Sequence, residues 1–393
     1  MAAVGSTCFA LALVLLPLRA LAAADHAPDA RGPRSPSARR GLPEGPVIVG
    51  YQDWSACNLS KTLEEVESGV NVVIWFATNL ARDKATRELA IQGGPNYTCV
   101  AEVRAAIEAR GLPTAHLISI GGWDAPHPDT SASGSAWFAA WSAWNAALPR
   151  PFDGFDWDLE GNDKPDSPYN EFAPEVLQII VDMSVAAKAA GFVVTMVPAQ
   201  SYLDVETGGF DRSLRHAYAD WHPDFHYHGL NCHAYVLAAA PADTFDLVTV
   251  QLYETWSRAG QALLQAGLKP EQYLQDWVAK GLVGWTVNFT DPALPLRGER
   301  EVKIQQHQLV VGMSVGSDDG SGKSAFFWPS AAGLAYESAP AALRPRGYAF
   351  WNIAMDGSLA NGTGTAVDFA RGLNAFLGIR LSTSASGAGL IVV

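Results

Sequence analysis

The stretch Phe152-Asp153-Gly154-Phe155-Asp156-Trp157-Asp158-Leu159-Glu160 places four carboxylates among bulky apolar side chains. Because side chains of a β-strand point alternately to its two faces, Asp156, Asp158 and Glu160 share one face. The apolar residues between them share the other face, which we expect to pack against covering helices. A solvated acidic edge strand is the alternative, but it would not need a frame of aromatic residues. Burying three acids is costly, and the segment therefore predicts a strand with a functional acidic face.

Three further segments accompany this strand. Ser119-Ile120-Gly121-Gly122 precedes it, and Val250-Gln251-Leu252-Tyr253 and Gly347-Tyr348-Ala349-Phe350-Trp351 follow it. Together with the Asp-Gly-x-Asp-x-Asp-x-Glu pattern that begins at Asp153, they resemble the marker strands of the family-18 glycoside hydrolases, the chitinase family. The resemblance covers about residues 47 to 378. It implies the single-domain type, without the extra α+β insertion that some members carry before their last strand.

The order of apolar and amphipathic segments predicts an α/β fold, the (β/α)8 TIM barrel. Reacting groups of this fold lie at the carboxyl ends of the strands, where the marker segments put theirs. Amphipathic helices are predicted at Thr62–Ser68, Cys99–Ala109, Trp137–Ala147 and Asn170–Ala189. Strands are predicted at Val47–Tyr51, Val70–Phe76, His116–Ile120, Phe152–Leu159, Val193–Val197, Leu247–Leu252, Leu309–Val315 and Gly347–Asn352.

The resemblance implies a role for each acid of the central strand. Glu160 would be the general acid, and the substrate's 2-acetamido oxygen would replace a carboxylate nucleophile in a retaining mechanism. Asp158 would hydrogen-bond the acetamido nitrogen, and Asp156 would share a proton with Asp158. Because close carboxylates do not all ionise readily, the cluster should keep Glu160 protonated near neutral pH. Asp153 has the opposite strand parity, which predicts a supporting role.

Residues of the other markers would contact the sugar. By resemblance, Tyr253 would bond the acetamido carbonyl and Trp351 would form the floor under the sugar ring, with Gln251 and Met196 lining the same pocket. A buried hydroxyl for Tyr253 and core packing for Trp351 are the alternatives. Glu254 stands where many members have Asp or Asn, which leaves this contact to the sugar open. Backbone passing close beneath the carboxylates is the role expected of Ser119, Gly121 and Gly122.

The composition and net charge of the chain limit the classes of molecule that it is expected to bind. The chain has 393 residues, of which 48% are hydrophobic and 17% charged, enough for a large core. Its net charge of −13 argues against nucleic acid or an anionic membrane surface as partner. We expect a monomer that binds chitin or another N-acetylglucosamine-containing glycan, with no cofactor and no metal.

The chain ends predict passage through the secretory pathway. Residues 1–24 have the apolar run and small-residue cleavage pattern of a signal peptide. Residues 25–46 are a Pro- and Arg-rich leader expected to be disordered, 47–380 the catalytic domain, and 381–393 a flexible tail. The protein is therefore expected outside the cell and free of the membrane once the signal is removed, with the vacuole or lysosome as alternative destinations.

An oxidising compartment bears on the cysteines and glycosylation sites. Cys57 and Cys99 are expected near one end of the barrel, where a disulfide is favoured over two free thiols, and Cys232 should stay free. Four Asn-x-Ser/Thr acceptor sequences are expected in loops, at Asn58, Asn96, Asn288 and Asn361.

Two other segments invite interpretation. His222, His226, His228 and His233 have spacings that zinc sites use, but loop packing is favoured because paired Cys or acidic ligands are missing around them apart from Asp224. Val283–Phe289 and Glu301–Gln306 could pair as a hairpin beside the groove, whereas Gly316 to Arg346 is too short to contain an inserted domain. An open groove that permits internal cleavage is expected.

Three functions follow from this pattern. The first is a secreted endo-acting chitinase that cuts β-1,4 linkages of N-acetylglucosamine polymers. The second is an endo-β-N-acetylglucosaminidase acting on N-glycan cores, which the family builds on the same catalytic strand. The third is a chitin-binding lectin without catalysis, which the presence of Glu160 disfavours because inactive relatives commonly lose that acid.

Overall fold

Eight parallel strands form a closed barrel in the computed structural model, which describes residues 41–54, 56–162, 164, 166–213, 230–253, 257–315, 325–358 and 366–380. In chain order the strands are β1 Val47–Tyr51, β2 Val72–Arg82, β3 Leu89–Gly93, β4 Ala115–Gly122, β5 Gly154–Leu159, β6 Val193–Met196, β7 Leu247–Gln251, β8 Trp285–Phe289, β9 Gly298–Val302, β10 Leu309–Ser314 and β11 Gly347–Trp351. Neighbours in the barrel pair in the order β1, β2, β4, β5, β6, β7, β10, β11, and β11 pairs with β1 to close it. The predicted TIM barrel is confirmed.

Helices lie between the barrel strands. They are α1 Leu59–Ser68, α2 Tyr97–Ala109, α3 Gly134–Ala146, α4 Pro174–Ala189, α5 Cys232–Ala239, the short α6 Arg258–Gly260, α7 Pro270–Val283, α8 Pro329–Ser338 and α9 Phe369–Leu377. The four predicted helices exist, but their starts differ. Asn58, Asn96 and Ser133 accept backbone N–H groups as N-caps, so α1, α2 and α3 begin earlier than predicted. Pro174 begins α4 because proline fits the first helical turn.

The apolar and acidic side chains of β5 point to opposite sides of the barrel wall, as their alternation along the strand predicted. Phe155, Trp157 and Leu159 lie in the apolar cluster between the barrel and the helices. Trp157 donates its indole N–H to Ser184 of α4 at 2.8 Å. A second, smaller apolar cluster fills the barrel interior. The acids of β5 therefore enter the barrel, because their apolar neighbours are held by the helices outside it.

Two hairpins extend the barrel, one of them predicted. β8 and β9 pair antiparallel, with Trp285 opposite Val302. The second strand lies earlier than the predicted Glu301–Gln306, since Ile304 is buried and its backbone N–H turns to the carbonyl of Gly281 in α7. The other hairpin was not predicted. There β2 continues to Arg82 and pairs antiparallel with β3.

The connection from β10 to β11 contains α8, and residues 325–346 of it are described. Its described residues add a single 3-10 turn, Ala341–Leu343. The expected absence of an α+β insertion between the last two barrel strands stays a prediction, because residues 316–324 lie outside the described ranges.

The predicted disulfide is confirmed. Cys57 and Cys99 are bridged across a Cα–Cα distance of 6.3 Å, linking the loop after β1 to α2. Cys232 is a buried free thiol. Among the glycosylation candidates, Asn58 and Asn96 are exposed N-caps, as the loop assignment implied. Asn288 is exposed too, but it lies within β8 rather than in a loop, so that assignment was wrong.

Several predictions concern residues outside the described ranges. These are the signal peptide, most of the leader, the C-terminal tail, His222, His226, His228, Glu254 and Asn361. Among the helices that the structure does describe, none joins the length and the apolar composition needed to span a bilayer.

Candidate active site

The acidic cluster lies at the carboxyl end of β5. Asp156 and Asp158 are buried inside the barrel, and Glu160 follows directly after the strand, where it is only partly exposed. Ser119 of β4 and Thr195 of β6 stand beside Asp156 in the strand register. This end of a parallel barrel is where substrates of the fold meet their reacting groups.

Asp156 is held by hydroxyl groups from two strands. Thr195 donates its hydroxyl to Oδ1 at 2.5 Å, and Tyr51 of β1 donates to Oδ2 at 3.3 Å. Burial raises the pKa of Asp156 to about 7, against the opposing effect of the hydrogen bonds from Thr195, Tyr51 and Ser119. Neither Tyr51 nor Thr195 was identified from the sequence, because each belongs to a strand that only the closed barrel brings to Asp156.

Asp158, Glu160 and Gln251 form one connected group. The Nε2 of Gln251 lies 3.0 Å from Asp158 Oδ1, 3.0 Å from Glu160 Oε1 and 2.8 Å from the carbonyl of Val197. Burial raises the pKa of both carboxyl groups, and the charge of Glu160 raises that of Asp158 further. Asp158 is hydrogen-bonded to both Glu160 and Gln251, while Asp156 accepts from hydroxyl groups. The expected proton sharing between Asp156 and Asp158 stays a prediction. Asp158 and Glu160 can hold one proton next to one negative charge.

Glycines allow β4 to pass close to this group. A Cβ on Gly121 would lie 2.4 Å from the carbonyl oxygen of Asp158, and the residue has φ +111°. A Cβ on Gly122, with φ +110°, would lie 2.4 Å from the ring of Trp54 and 2.8 Å from that of Phe76. Only glycine fits either position, because the space and the backbone conformation both exclude a side chain. The backbone thus approaches the acids as closely as the sequence suggested.

Aromatic side chains surround the cluster. Trp351, at the end of β11, packs edge-on against Phe76 at 4.7 Å between ring centroids and tilts against Tyr51 at 6.3 Å. Trp54 packs on the same Phe76 at 4.5 Å yet leaves 45% of its surface exposed. Tyr253 follows β7 and is partly buried.

Trp123 is a further aromatic residue at this end, and 45% of its surface is also exposed. It directly follows the Gly121-Gly122 pair that ends β4. Neither Trp54 nor Trp123 was identified from the sequence. The sequence contains one signal that could have found both: each is a tryptophan just beyond the carboxyl end of a barrel strand, a position that faces solvent.

Met196 does not line the site. It lies opposite Trp157 in the strand register and belongs to the outer apolar cluster, whereas its neighbour Thr195 faces Asp156. The prediction was wrong because the register with β5 brings Thr195, and not Met196, beside Asp156. Asp153 lies at the other end of β5, where it pairs with Arg104 at 3.2 Å.

The histidine cluster can be assessed only at His233. Its ring is fully buried, stacks on Tyr202 at 5.7 Å between centroids and meets the edge of Phe172 at 5.4 Å. Burial lowers the pKa of His233 to about 3. Neutral packing, the alternative favoured from the sequence, accounts for this member of the cluster.

One carboxylate trio among the described residues has the spacing of a metal site. Ligand atoms of Glu65, Asp356 and Asp368 lie within 4.8 Å of one another. The Nζ of Lys61 contacts Glu65 at 2.5 Å, and Asp356 accepts the first backbone N–H groups of α9. These partners engage two of the three carboxylates, and the trio shares no residue with the acidic cluster.

The chain can be compared with known proteins by its sequence and by its fold. Neither a family model nor a curated protein matches it. Among solved structures, a family-18 chitinase from Pseudoalteromonas aurantia superposes with a TM-score of 0.50 at 14% identity, covering 85% of this chain and 100% of that chain. This likeness shows that the two proteins share the (β/α)8 fold.

Other solved structures resemble the chain at lower scores. Catalytic domain 2 of the Group II chitinase from Ostrinia furnacalis has a TM-score of 0.49 at 13% identity, with 85% of this chain and 97% of that chain covered. The xylanase and α-amylase inhibitor protein XAIP-II from Scadoxus multiflorus has a TM-score of 0.47 at 14% identity, with coverages of 85% and 98%. Function must be argued from the site itself.

Proposed function

We propose that the protein is a secreted, endo-acting chitinase that hydrolyses β-1,4 linkages of N-acetylglucosamine polymers with retention of configuration. The observation that carries the proposal is the bridge from Gln251 to Asp158 and Glu160, with contacts of 3.0 Å to each carboxylate. The two acids are adjacent on one strand face, at the end of the barrel where the aromatic residues also gather. The chain's net charge of −13 does not disfavour a neutral polysaccharide.

Glu160 is the general acid of this proposal. It is the acid of the cluster nearest the end of the strand and is partly exposed, so a glycosidic oxygen can reach it. Burial raises its pKa, which favours the protonated form that a general acid requires. Its proton passes to the leaving oxygen as the bond from that oxygen to the anomeric carbon breaks.

The substrate itself supplies the nucleophile. Asp158 shares a face and a hydrogen-bonding partner with the acid, so it is poorly placed to attack the anomeric carbon from the opposite side. The carbonyl oxygen of the 2-acetamido group forms the new bond to that carbon and gives an oxazolinium ion. Asp158 accepts a hydrogen bond from the acetamido nitrogen and stabilises its positive charge. Water then opens the ring while Glu160, now a carboxylate, takes the proton from the water.

Aromatic residues provide the sugar-binding surface. Trp351 offers a ring at the end of β11, and Tyr253 brings a hydroxyl to the acetamido carbonyl. Trp54 and Trp123 leave 45% of their surfaces exposed, which costs apolar burial unless a ligand covers them. Flat aromatic faces suit the C–H faces of sugar rings.

The first experiment assays the purified secreted protein on chitin oligosaccharides beside a high-mannose glycopeptide. Hydrolysis of the oligosaccharides, with the β-anomer appearing first in proton NMR, supports the proposal. An initial α-anomer contradicts the mechanism. Cleavage of the glycopeptide alone would favour the endo-β-N-acetylglucosaminidase instead, and binding without turnover would favour the lectin.

Internal cutting is tested separately on a soluble chitin derivative. The endo assignment is supported by the shortness of the connection from 316 to 346, whose described residues contain α8 and one 3-10 turn. Internal cleavage lowers viscosity before many reducing ends appear. Early release of disaccharide at nearly constant viscosity would show action from chain ends.

A further inference from the structure

A histidine in the loop after β4 contacts the backbone of the proposed acid. His127 is buried, with 8% of its surface exposed, and its Nε2 lies 2.9 Å from the carbonyl oxygen of Glu160. A carbonyl can only accept a hydrogen bond, so the ring nitrogen donates it. His127 is thus hydrogen-bonded to the backbone of Glu160, the residue whose side chain is the proposed acid.

The loop around His127 makes a second link to the same segment. The backbone N–H of Asp124 donates to the carbonyl of Gly161 at 3.2 Å. Glu160 and Gly161 are the two residues that follow β5, and beyond the strand ladder the backbone there depends on such contacts. Both carbonyls are therefore held by one loop, which the glycines at the end of β4 bring alongside.

Ring stacking fixes the orientation of His127. Its ring lies parallel to that of Phe172, at 8° and a centroid distance of 5.0 Å. The ring of Phe172 in turn meets the edge of His233. Burial lowers the pKa of His127, against the opposing effect of hydrogen bonds from the ring to the backbones of Glu160 and Glu171. The contact with the Glu160 carbonyl requires a proton on Nε2, because a carbonyl oxygen can only accept.

We propose that His127 is a positioning residue for Glu160. By donating Nε2–H to the Glu160 carbonyl, it fixes the carboxyl group within reach of Gln251 and of the bound glycosidic oxygen. Because His127 does not touch substrate in this proposal, its loss should lower kcat and leave KM nearly unchanged. A misplacement of about 1 Å can cost on the order of 100-fold in rate.

The test uses variants that separate the hydrogen bond from the stacking. His127→Phe keeps an aromatic ring against Phe172 but has no donor, and His127→Leu is a second donor-free variant. His127→Gln restores a side-chain N–H. His233→Phe is the matched control, since it alters the same aromatic stack at a ring whose nitrogens have no hydrogen-bonding partner among the described residues. Kinetics are measured on a fluorogenic chitobioside with the full secreted protein.

We expect kcat to fall about 10- to 100-fold in His127→Phe, with KM changed less than about threefold. His127→Gln should regain most of the loss, and His233→Phe should stay within about twofold of the wild type. Equal losses in His127→Phe and His233→Phe would assign the effect to packing and overturn the proposal. So would an unchanged kcat in folded His127→Phe, or the failure of both donor-free variants to fold.

The kinetic arm rests on the proposed function, so crystal structures of the variants supply an independent readout. The distance from Gln251 Nε2 to Glu160 Oε1, 3.0 Å here, should exceed about 3.5 Å in His127→Phe and return in His127→Gln. If the wild type proves inert on N-acetylglucosamine substrates, the proposed function fails while this measurement still decides the role of His127. An unmoved carboxylate in His127→Phe would overturn it.

Discussion

The two ends of β5 treat their carboxylates in opposite ways. At the amino end, Asp153 is paired with Arg104 at 3.2 Å and accepts a backbone N–H at 2.8 Å. At the carboxyl end, Asp156, Asp158 and Glu160 appear in none of the ion pairs of the described chain. One end has a buried counter-ion, and the other has carboxyl groups whose pKa values burial raises.

This difference separates stability from chemistry within a single strand. A buried charge that is fully paired keeps its ionisation state and holds β5 to α2, but it cannot exchange protons with a substrate. Carboxyl groups whose pKa values burial raises are poised to do so. Substitutions at the amino end should therefore lower the stability of the fold, and substitutions at the carboxyl end should lower the rate of catalysis.

The largest effect is expected for Glu160→Gln. The change keeps the size of the side chain and its contact with Gln251 but removes the transferable proton. Turnover should fall by about 10² to 10⁴ while oligosaccharide binding and the melting temperature persist. Glu102→Gln, on the surface of α2, is the control in parallel assays of kcat and of binding by calorimetry. Near-normal turnover in a pure preparation would remove Glu160 from its proposed role.

Arg104→Ala should act in the opposite way. It removes the guanidinium from the buried carboxylate of Asp153, which should lower the free energy of unfolding by about 3–5 kcal/mol, with kcat per folded molecule little changed. The matched control is Arg110→Ala, which breaks an exposed pair with Glu67 worth about 0–1 kcal/mol. Denaturant unfolding at constant pH measures both. A large loss of kcat in folded Arg104→Ala would show that the two ends are not separate.

The comparison also predicts how stability depends on pH. The folded-state pKa of Asp156 is raised to about 7 from 3.8, so the folded protein binds this proton more tightly than the unfolded chain. The resulting stability is fully present below pH 3.8 and is lost as pH rises towards 7, at up to about 1.4 kcal/mol per pH unit. Asp156→Asn should make the free energy of unfolding decline less steeply with rising pH, as measured by denaturant unfolding between pH 4 and 8.

Asp166→Asn changes an exposed carboxyl group and is the control for that series. It should leave the decline as it is in the wild type. If Asp156→Asn also leaves the curve unchanged, Asp156 is not the group that retains a proton inside the barrel.

The acidic face of β5 could be predicted from the sequence because alternation is a local property of one strand. The barrel followed from eight such strands with helices between them. The sequence could not reveal what lies opposite each acid. Arg104 is 49 residues from Asp153, and Tyr51 is 105 residues from Asp156, so these pairs depend on how the barrel closes.

The error at Met196 has the same origin. The alternation of side chains along β6 follows from its sequence. Which of the two sets faces the acids depends on the register with β5, where Asp156 lies opposite Thr195. Trp54, Trp123 and His127 lie in loops after strands, and their approach to the site is set by the glycines that end β4. Side chains along a strand were therefore predictable, and contacts between strands and loops were not.

The smallest effect, from Tyr51→Phe, sharpens the comparison at the carboxyl end. The hydroxyl of Tyr51 donates to Asp156 over 3.3 Å and favours its ionised form, so its loss should raise the pKa of Asp156 above about 7. A single hydrogen bond contributes about 0.5–1.5 kcal/mol, which limits the loss of kcat to about tenfold. The pH above which stability stops declining should move upward, by less than about one unit. Thr195→Val removes the shorter bond of 2.5 Å and should move it further. A shift to lower pH in either variant would mean that these hydroxyls favour the protonated acid, and it would contradict the effect assigned to their hydrogen bonds.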